Sequence, residues 1–459
     1  MVPDSAMQKF RASLRCQSLC PGHQAYDAAR AIHNGMIDRR PTLITRCAGA
    51  ADVIACVRFA REHDLLVSIR GGGHSIAGKA VCDGGLMIDL SGMKGIRVDP
   101  ARRTVRAEPG LTLGEFDRET QAFGLATTLG VVSKTGIAGL TLGGGVGWLL
   151  GKYGIACDNV ISVDVVTAEG RLFTASATEN EDLFWGVRGS GGNFGIVTSF
   201  EYRLHEVGPV LGGGVLHPVE KAREVLRFYR EFSSSCPDEL STQAGTLTTP
   251  EGVHVIVIGG CYCGSLAQGE KVLRPLRTFG SPVADLFGAI SYVQMQSMFD
   301  AYFPPGRQNY WKANFIHGLS DEAVETFAEY VATVPSPYTT GPWLEHLHGA
   351  ASRVAATDTA FAHRQYPYNF SVLSSWLDPS DSGKNIKWTR DCWDAMQPFM
   401  AAGAYVNYLE DEGDPLAREA YGPNYGRLVA LKNKYDPTNF FRVNHNIKPS
   451  QSTPTAVSA

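Results

Sequence analysis

Glycine is concentrated in the first half of this chain, and this clustering constrains the fold more than any other sequence feature. Of the 50 glycines in 459 residues, many fall in three runs, at 71–73, 143–147 and 189–195. Glycine runs permit tight turns and let a ligand lie directly against the backbone. Turns alone do not explain such clustering. We therefore expect the first half of the chain to bind a large ligand with many polar atoms.

The first glycine run opens a stretch that is similar to a known nucleotide-binding loop. Residues 73–80 read GHSIAGKA, which differs from the phosphate loop of nucleotide hydrolases at Ala80, where that loop requires Ser or Thr. A DGG sequence at 83–85 would also break the helix that must follow such a loop. The third run, GSGGNFG, has Phe194 where a Rossmann dinucleotide loop needs its last glycine. Both matches are weak, so a different nucleotide site is favoured.

Composition and charge argue against several other classes of protein. The formal net charge is −4, so no excess of positive charge indicates a nucleic-acid partner. The close cysteine pairs, Cys16/Cys20 and Cys261/Cys263, have no second pair or histidines at zinc-binding spacing, and we expect no metal site. The N-terminus lacks a signal-peptide pattern, and no stretch holds 18 uninterrupted apolar residues. We therefore expect a cytoplasmic protein without a membrane span.

Hydrophobic periodicity divides the chain into two parts near Glu206. The first part is predicted to contain a helix followed by four short strands, at Ala51–His63, Leu65–Ile69, Leu86–Leu90, Thr104–Ala107 and Val160–Thr167. In the second part the glycine runs stop, and aromatic, alternating segments predict strands of a second layer with helices between them. The predicted strands include Val253–Gly259 and Tyr310–Phe315, and the predicted helices are Asp321–Ala332 and Tyr421–Lys434.

Four glycine-containing motifs occur in order over about 130 residues of the first half. They read RGGGHS, GIAGLTLGGGVGWLLGKYGIACDN, VVTAEG and DLFWGVRGSGGNFGIVT, and the chain closes with YGPNYGRLVALKNKYDPTNFFRVNHNI before a polar tail. Together they resemble the FAD-linked oxidases of the vanillyl-alcohol oxidase superfamily, specifically the berberine-bridge-enzyme-like branch. The resemblance spans the first half and the last forty or so residues, while the middle is similar only in short pieces such as NYWKANF.

The resemblance implies an α+β fold with two domains. Residues 1–207 would form a PCMH-type FAD-binding domain with its core at about 37–207, and residues 208–409 would form a substrate-binding domain, an antiparallel sheet backed by helices. Residues 410–459 would return to the FAD domain. FAD would then lie at the junction of the two domains, where ligand sites commonly occur.

The resemblance also implies a covalent flavin. His74 occupies the place in R-G-G-G-H-S where the family's histidine is bonded through its ring to the 8α-methyl carbon of the flavin. Many members add a second bond through a cysteine in G-x-C-x-x-V-G, but residues 130–136 read GVVSKTG, with Val132 at the cysteine position. We therefore expect one bond only, a less oxidising flavin and a more open site. Thr135 replaces a Val or Ile that is said to control oxygen approach in the family, which leaves both an oxidase and a dehydrogenase open.

The substrate side is predicted from the segment AYVNY, which ends at Tyr408. It resembles a Y-x-N-Y strand whose last tyrosine, in many members, takes the proton of the substrate hydroxyl. Strand alternation would place Tyr408 on the face opposite Tyr405 and Asn407. Because a free tyrosine has a pKa of about 10, a basic role needs a nearby cation, and we expect Lys312 of NYWKANF to supply it.

The residues expected to bind FAD lie in or beside these motifs. They are Arg70, Gly71, Gly72, Gly73, His74, Ser75, Gly110, Gly130, Val131, Thr135, Gly136, Gly139, Gly143, Gly147, Asp158, Asn159, Gly195, Ile196, Val197, Tyr405, Asn407, Asn444 and Asn446. The pocket on the substrate side is expected to be lined by two histidines that share a strand face and by aromatic residues of the second half. These are His346, His348, Trp311, Trp343, Tyr366, Tyr368 and Trp376.

The expected reaction is hydride transfer from a small organic substrate to flavin N5, with Tyr408 receiving the O–H or N–H proton and O2 as acceptor, giving H2O2. The substrate would be an alcohol, amine, sugar or aromatic natural product, and a homodimer is left open. Two other functions are also open. One is a flavin dehydrogenase with another electron acceptor, and the other is a non-catalytic resistance protein that sequesters an aromatic compound.

Overall fold

The computed structural model describes residues 2–410 and 414–450, with the backbone alone for 414–416. The first half contains a four-stranded sheet in the order β1-β2-β4-β3, formed by β1 (Ser18–Leu19), β2 (Leu43–Arg46), β3 (Val67–Arg70) and β4 (Leu86–Asp89). Strand β4 pairs in parallel with both β2 and β3. The helix between β2 and β3 makes the connection that parallel strands require. The glycine run at 71–73 therefore starts at the carboxyl end of β3.

A second, antiparallel sheet follows in the order β5-β6-β10-β8-β9. The strands of this part of the chain are β5 (Ile96–Asp99), β6 (Thr104–Ala107), β7 (Leu125–Ala126), β8 (Val160–Val166), β9 (Leu172–Ser176), β10 (Ile196–Arg203) and β11 (His205–Glu206). Strands β7 and β11 pair with each other outside the sheet. The third glycine run ends where β10 begins. The first and third glycine runs therefore each lie at the end of a strand.

Helices pack on these two sheets and fill the core of the first half. They are α1 (Asp4–Ser13), α2 (Tyr26–Arg30), α3 (Ala50–Glu62), α4 (Leu113–Gln121), α5 (Ile137–Leu142), α6 (Leu150–Tyr153) and α7 (Glu181–Gly186), with a 3₁₀ turn at Ala156–Asn159. Helix α3 buries Val53, Val57 and Ala60, the apolar stripe that predicted it. Helix α4 begins with a capping box in which Thr112 and Glu115 each bond the other's backbone N–H.

The second half is built on an eight-stranded sheet in the order β15-β12-β14-β13-β18-β19-β17, with β16 also paired to β12. Its strands are β12 (Val210–Pro218), β13 (Leu240–Thr248), β14 (His254–Tyr262), β15 (Ala284–Asp285), β16 (Gly288–Ile290), β17 (Gln308–Ile316), β18 (Thr340–His346) and β19 (Tyr368–Trp376). All its pairings are antiparallel. One face of this sheet is covered by helices and the other is turned toward the first half.

The helices of the second half are α8 (Ala222–Ser234), α9 (Leu266–Thr278), α10 (Tyr292–Gln296), α11 (Asp321–Val331), α12 (Ala350–Arg353) and α13 (Ser382–Met396), with 3₁₀ turns at Val219–Lys221, Pro379–Asp381 and Gln397–Phe399. Helices α8, α9, α11 and α13 share one buried apolar core with the sheet. Leu344 of β18 and Phe370 of β19 point into that core. Their neighbours along each strand therefore face the first half of the chain.

The chain then returns to the first half through a 3₁₀ turn at Val406–Tyr408, α14 (Asp414–Tyr421), a turn at Gly422–Asn424 and α15 (Tyr425–Tyr435). A fully buried ion pair holds this return segment, with 2.8 Å between Lys432 Nζ and Asp436 Oδ2. Lys432 also donates to the carbonyl of Asn193, which lies in the third glycine run. The Asp436 carboxylate also accepts the backbone N–H groups of Phe440 and Phe441. The return segment is therefore fixed to the first half by buried polar contacts.

The α+β architecture with an antiparallel sheet backed by helices is confirmed, and most predicted elements lie within a few residues of their observed bounds. The domain limits at 207/208 and 409/410 stay predictions, and residues 411–413 and 451–459 of the predicted closing segment lie outside the described residues. No helix within residues 2–410 and 414–450 is long and apolar enough to cross a membrane.

We predict that Lys432→Met destabilises the protein by about 3–5 kcal/mol, because removing one partner leaves the carboxylate of Asp436 charged and buried. Lys434→Met is the matched control. It removes an exposed pair with Asp182, in which the lysine side chain is 59% exposed, and should cost about 0–1 kcal/mol. Urea unfolding of both variants and wild type measures the difference. Equal shifts of the two unfolding midpoints would contradict the prediction.

Candidate active site

A large cavity lies between the two halves of the chain. Its floor is the backbone of the first half, at 71–77, 130–142 and 191–197, and its opposite wall is the free face of the eight-stranded sheet. The return segment closes one side through residues 405–409 and 443–445. Each half therefore contributes one surface to the cavity, and neither half contains it alone.

Most of the residues predicted to bind FAD line this cavity. They are Gly71, Gly72, Gly73, His74, Ser75, Gly130, Val131, Thr135, Gly136, Gly139, Gly195, Ile196, Val197, Tyr405, Asn407 and Asn444. The cavity wall does not include Arg70, Gly110, Gly143, Gly147, Asp158, Asn159 and Asn446. Several of these shape the wall from behind it. Asp158, for example, forms a buried ion pair with Arg364 at 2.7 Å, which ties the first half to the 350–366 segment.

Two glycine loops cross at the floor of the cavity. A Cβ atom on Gly72 would lie 2.5 Å from the backbone of Gly136, and a Cβ on Gly136 would lie 2.4 Å from the backbone nitrogen of Gly72. No side chain fits at either position, so the two backbones are in direct contact. Gly73 follows with φ of +73°, a conformation that side chains rarely adopt. This sharp turn brings His74 to the cavity edge.

The imidazole of His74 lines the cavity and stacks on the imidazole of His33, with ring centroids 3.8 Å apart. His74 Nε2 is buried and has no hydrogen-bond partner among the described residues. Burial, with a smaller contribution from His33, lowers the pKa of His74 to about 3. Burial likewise lowers the pKa of His33 to about 4. Both rings are therefore neutral at physiological pH, and a nitrogen of His74 is not committed to another group.

A buried acid lies beside Tyr408. The Tyr408 hydroxyl donates to Glu345 Oε1 at 3.0 Å, and Asn369 Nδ2 donates to Glu345 Oε2 at 2.6 Å. Burial raises the pKa of Glu345 to about 7, although both hydrogen bonds favour the ionised form. Burial and the charge of Glu345 raise the pKa of Tyr408 well above its ordinary value. Near neutral pH the pair can therefore take up one proton, and the carboxylate of Glu345 is where that proton is held.

The cation that we expected beside Tyr408 lies elsewhere. Lys312 points to the helix-covered face of the sheet, where its Nζ lies 4.1 Å from the ring centre of Trp393 on α13. Strand alternation places the preceding residue, Trp311, on the cavity face instead. The prediction that Lys312 lowers the pKa of Tyr408 is therefore wrong, because the ionisable neighbour is an acid.

His346 and His348 also differ from expectation. Their rings stack 4.4 Å apart, and His346 lies 5.3 Å from Tyr368, away from the cavity wall. Glu345, between Leu344 and His346, takes the cavity face of β18 together with Trp343. Sequence reasoning missed Glu345, although its two-residue spacing from a predicted pocket tryptophan was a usable signal.

The segment AYVNY forms a 3₁₀ turn rather than a strand, since the Tyr408 N–H donates to the Tyr405 carbonyl at 2.9 Å. The predicted alternation is therefore wrong, and Tyr405, Asn407 and Tyr408 all reach the cavity. The Tyr405 hydroxyl accepts the N–H groups of Gly145 and Val146, at 3.1 and 3.2 Å. This contact anchors the turn to the second glycine run and positions Tyr408.

Apolar rings form most of the cavity wall around Tyr408. We call this surface the aromatic wall: Phe299, Phe303, Trp311, Trp343 and Tyr408. Neighbouring rings meet edge to face, with Trp311–Tyr408 and Phe299–Trp343 both at 5.7 Å between centroids. Val132, at the position of the family's second attachment, is buried against this wall and offers no thiol. Of the other predicted aromatic residues, Tyr366, Tyr368 and Trp376 are not in the cavity wall.

The cavity has the features that a flavin nucleotide requires. Glycine backbone along its floor lets a long polar ligand approach closely. The uncommitted nitrogen of His74 stands at the place where the resemblance puts the bond to the flavin. Trp311 of the aromatic wall lies near that place, with its ring 6.5 Å from the ring of His74. The residues present therefore fit FAD.

Comparison with known proteins agrees with this geometry. A family model described as FAD binding domain matches residues 41–176, and one described as berberine and berberine like matches residues 404–448. An FAD-linked oxidoreductase of Dictyostelium discoideum is 37% identical, over 90% of each chain. A chitooligosaccharide oxidase of Gibberella zeae is 28% identical, over 93% of this chain and 91% of its own. The crystal structure of 6-hydroxy-D-nicotine oxidase from Arthrobacter nicotinovorans superposes with a TM-score of 0.87 at 30% identity, covering 95% of this chain and 99% of that one. The chain therefore belongs to the berberine-bridge-enzyme-like FAD-linked oxidoreductases, and it is an enzyme.

Proposed function

We propose that this enzyme carries FAD bonded through His74 alone and oxidises a small organic substrate at the aromatic wall, with O2 as electron acceptor and H2O2 as product. One observation carries the proposal. Trp311 lies 6.5 Å from the ring of His74 and 5.7 Å from the ring of Tyr408, so the attachment residue and the proton-accepting pair face one space. When bound, FAD supplies the hydride acceptor, N5.

The attachment at His74 is supported by its protonation state. A ring nitrogen forms a new bond only through a free lone pair, and a neutral imidazole has one. Because burial keeps the pKa of His74 at about 3, the neutral form predominates at every physiological pH. Val132 supports a single bond, since its side chain has no group that could form a second one.

Tyr408 and Glu345 together accept the substrate proton in this proposal. The Tyr408 hydroxyl already donates to Glu345, so its oxygen is left to accept a hydrogen bond from a substrate O–H or N–H. As that proton moves to Tyr408, the phenolic proton moves to Glu345. Asn369 holds the carboxylate in place by its second oxygen. The tyrosine never needs a stable phenolate, which its raised pKa would not permit.

The aromatic wall favours an aromatic substrate over a sugar. Apart from Tyr408 and Glu345, the polar side-chain groups at the aromatic wall include Gln243, Thr340 and the indole N–H of Trp311. Gln243 Oε1 already accepts the Trp343 indole N–H at 2.9 Å. A sugar has several hydroxyl groups to satisfy, and burying an unpaired one costs about 1–3 kcal/mol. A planar ring with one donor beside the reacting carbon matches the wall. Relatives named for a nicotine derivative and for chitooligosaccharides show that the family accepts both kinds of substrate.

The electron acceptor is tested by the behaviour of the reduced protein in air. Thr135 lines the cavity with a hydroxyl, where the resembling family usually has Val or Ile. Aryl alcohols, aryl amines and saccharides are each added to the yellow protein without air. We expect the aromatic compounds to bleach the flavin and the saccharides to leave it yellow. Rapid return of the colour in air, with stoichiometric H2O2, supports an oxidase. Protein that stays bleached in air would instead support a dehydrogenase.

We predict that His74→Ala loses the attached flavin. Acid precipitation of wild type should give a yellow pellet, and a tryptic digest should yield one flavin-bearing peptide, the one that contains His74. The variant should give a colourless pellet, while His23→Ala, which changes an exposed histidine, should behave as wild type. A second flavin-bearing peptide in wild type would contradict the proposed single bond.

We predict that Tyr408→Phe and Glu345→Gln each slow flavin reduction by about a hundredfold to ten-thousandfold, the usual contribution of a positioned general base. Wild-type reduction should rise as pH passes through about 7, because Glu345 accepts a proton only above its pKa, and Glu345→Gln should lose this rise. Anaerobic stopped-flow absorbance measures both effects, with Tyr330→Phe as control for a tyrosine that bonds a backbone carbonyl outside the cavity. Rates within about threefold of wild type would assign proton removal to another group.

A further inference from the structure

A second histidine, His33, packs against His74, the proposed attachment residue. His33 is 6% exposed, and its ring lies 3.8 Å from that of His74 at an interplanar angle of 24°. At this angle the rings stack face to face, so His33 does not share a proton with His74 through an in-plane hydrogen bond. His33 Nε2 is buried and has no hydrogen-bond partner among the described residues. The face of the His33 ring is thus in contact with His74, while its Nε2 forms no hydrogen bond.

The backbone around His33 is fixed on both sides. The His33 N–H donates to the Gly73 carbonyl at 2.9 Å, and the Gly306 N–H donates to the His33 carbonyl at 2.9 Å. Asn34 Nδ2 donates to the carbonyls of Ile76 and Asn309, at 2.8 and 3.0 Å. The stretch at 33–34 therefore bridges the His74 loop and the start of β17. His33 moves only if one of these two elements moves.

Trp311 completes the surroundings of His74. Its ring lies 6.5 Å from that of His74, tilted by 56°, and it belongs to the same strand, β17, that the Asn34 amide joins to the His74 loop. The His74 imidazole thus has two ring neighbours, and both are tied to β17. With no hydrogen bond on Nε2, these ring contacts contribute to the orientation of the imidazole.

We propose that His33 is a positioning residue for flavin attachment, whose stacked ring keeps water from the His74 imidazole and holds it in one orientation. This inference rests on the proposed attachment at His74. In the net step, His74 loses its ring N–H proton and the 8α-methyl group loses one hydrogen as the C–N bond forms. The two electrons released are taken up by the flavin and then by O2, which becomes H2O2.

Two substitutions separate the stacking of His33 from its imidazole chemistry. His33→Phe keeps a flat ring at the position, while His33→Ala removes it and admits water beside His74. If stacking is the role, His33→Phe should attach FAD at a rate within about threefold of wild type, and His33→Ala should be slower by tenfold or more. His23→Ala controls for loss of an exposed histidine.

The pH dependence of attachment distinguishes positioning from a general loss of structure. The titratable and charged groups on the surrounding elements include His33, Arg70 at the end of β3, and Glu410, whose Oε1 accepts the backbone N–H of Trp311. With the pKa of His74 at about 3, wild-type attachment should be constant between pH 5 and 8. In His33→Ala, water beside His74 and the loss of the His33 ring should both raise the pKa of His74, so that less of the imidazole is neutral at pH 5. Attachment by His33→Ala should then be slower at pH 5 than at pH 8.

The experiment uses full-length protein from riboflavin-starved cells, incubated with FAD in air. Acid-stable absorbance of the pellet gives the attachment rate, and retained absorbance after gel filtration gives total bound FAD. The inference holds if His33→Ala binds FAD but attaches it slowly and acquires the acid-sensitive pH profile, while His33→Phe binds and attaches FAD as wild type does and keeps the wild-type pH profile. It is overturned if His33→Ala attaches FAD as wild type does, if His33→Phe is as slow as His33→Ala, or if the pH profile is unchanged. Wild type without attached FAD would overturn the proposed attachment as well, so the two failures are distinguishable.

Discussion

The backbone contact between Gly72 and Gly136 is the constraint on which the cavity depends. It joins the end of β3 to the start of α5, and each loop is held from its far side as well. The Ile137 N–H donates to the Leu111 carbonyl, and the His33 N–H donates to the Gly73 carbonyl. Because a Cβ at either glycine would lie within 2.5 Å of the other's backbone, a side chain there would force the loops apart and move His74 with them. The glycine clustering therefore reflects one geometric requirement rather than general flexibility.

On the sheet side of the cavity, the constraint is the burial of the Glu345 carboxyl group. Burying a carboxyl group is costly unless it is hydrogen-bonded, and here Tyr408 and Asn369 satisfy both oxygens while the pKa rises to about 7. Because burial raises the pKa of Glu345, this carboxyl group titrates near neutral pH, which suits a proton acceptor. A cation in the same place would have given a tyrosine with a lowered pKa and a different mechanism.

Local sequence patterns predicted what local interactions determine. The stripe of α3, the alternation of β17 and the glycine turn before His74 each depend on neighbours close in sequence. The wrong predictions concern segments whose conformation or orientation is determined by tertiary contacts. AYVNY has the composition of a strand, but the Tyr405 hydroxyl is drawn to the backbone of Gly145 and Val146, and the chain turns. The face taken by Lys312 depends on the register of β17, which a sequence alone does not fix.

The part of the cavity near His74 and Tyr408 is formed only where the two halves of the chain meet. His74 comes from the first half, Trp311 and Glu345 from the sheet, and Tyr408 from the return segment. Side chains far from the reacting atoms tie these parts together. Asp300 accepts both the N–H and the hydroxyl of Ser133, at 2.8 and 2.5 Å, beside Phe299 of the aromatic wall. Because a displacement of about 1 Å costs about a hundredfold in rate, such ties determine activity without touching substrate. Residues that hold the two halves in register therefore belong to the mechanism as much as those that line the cavity.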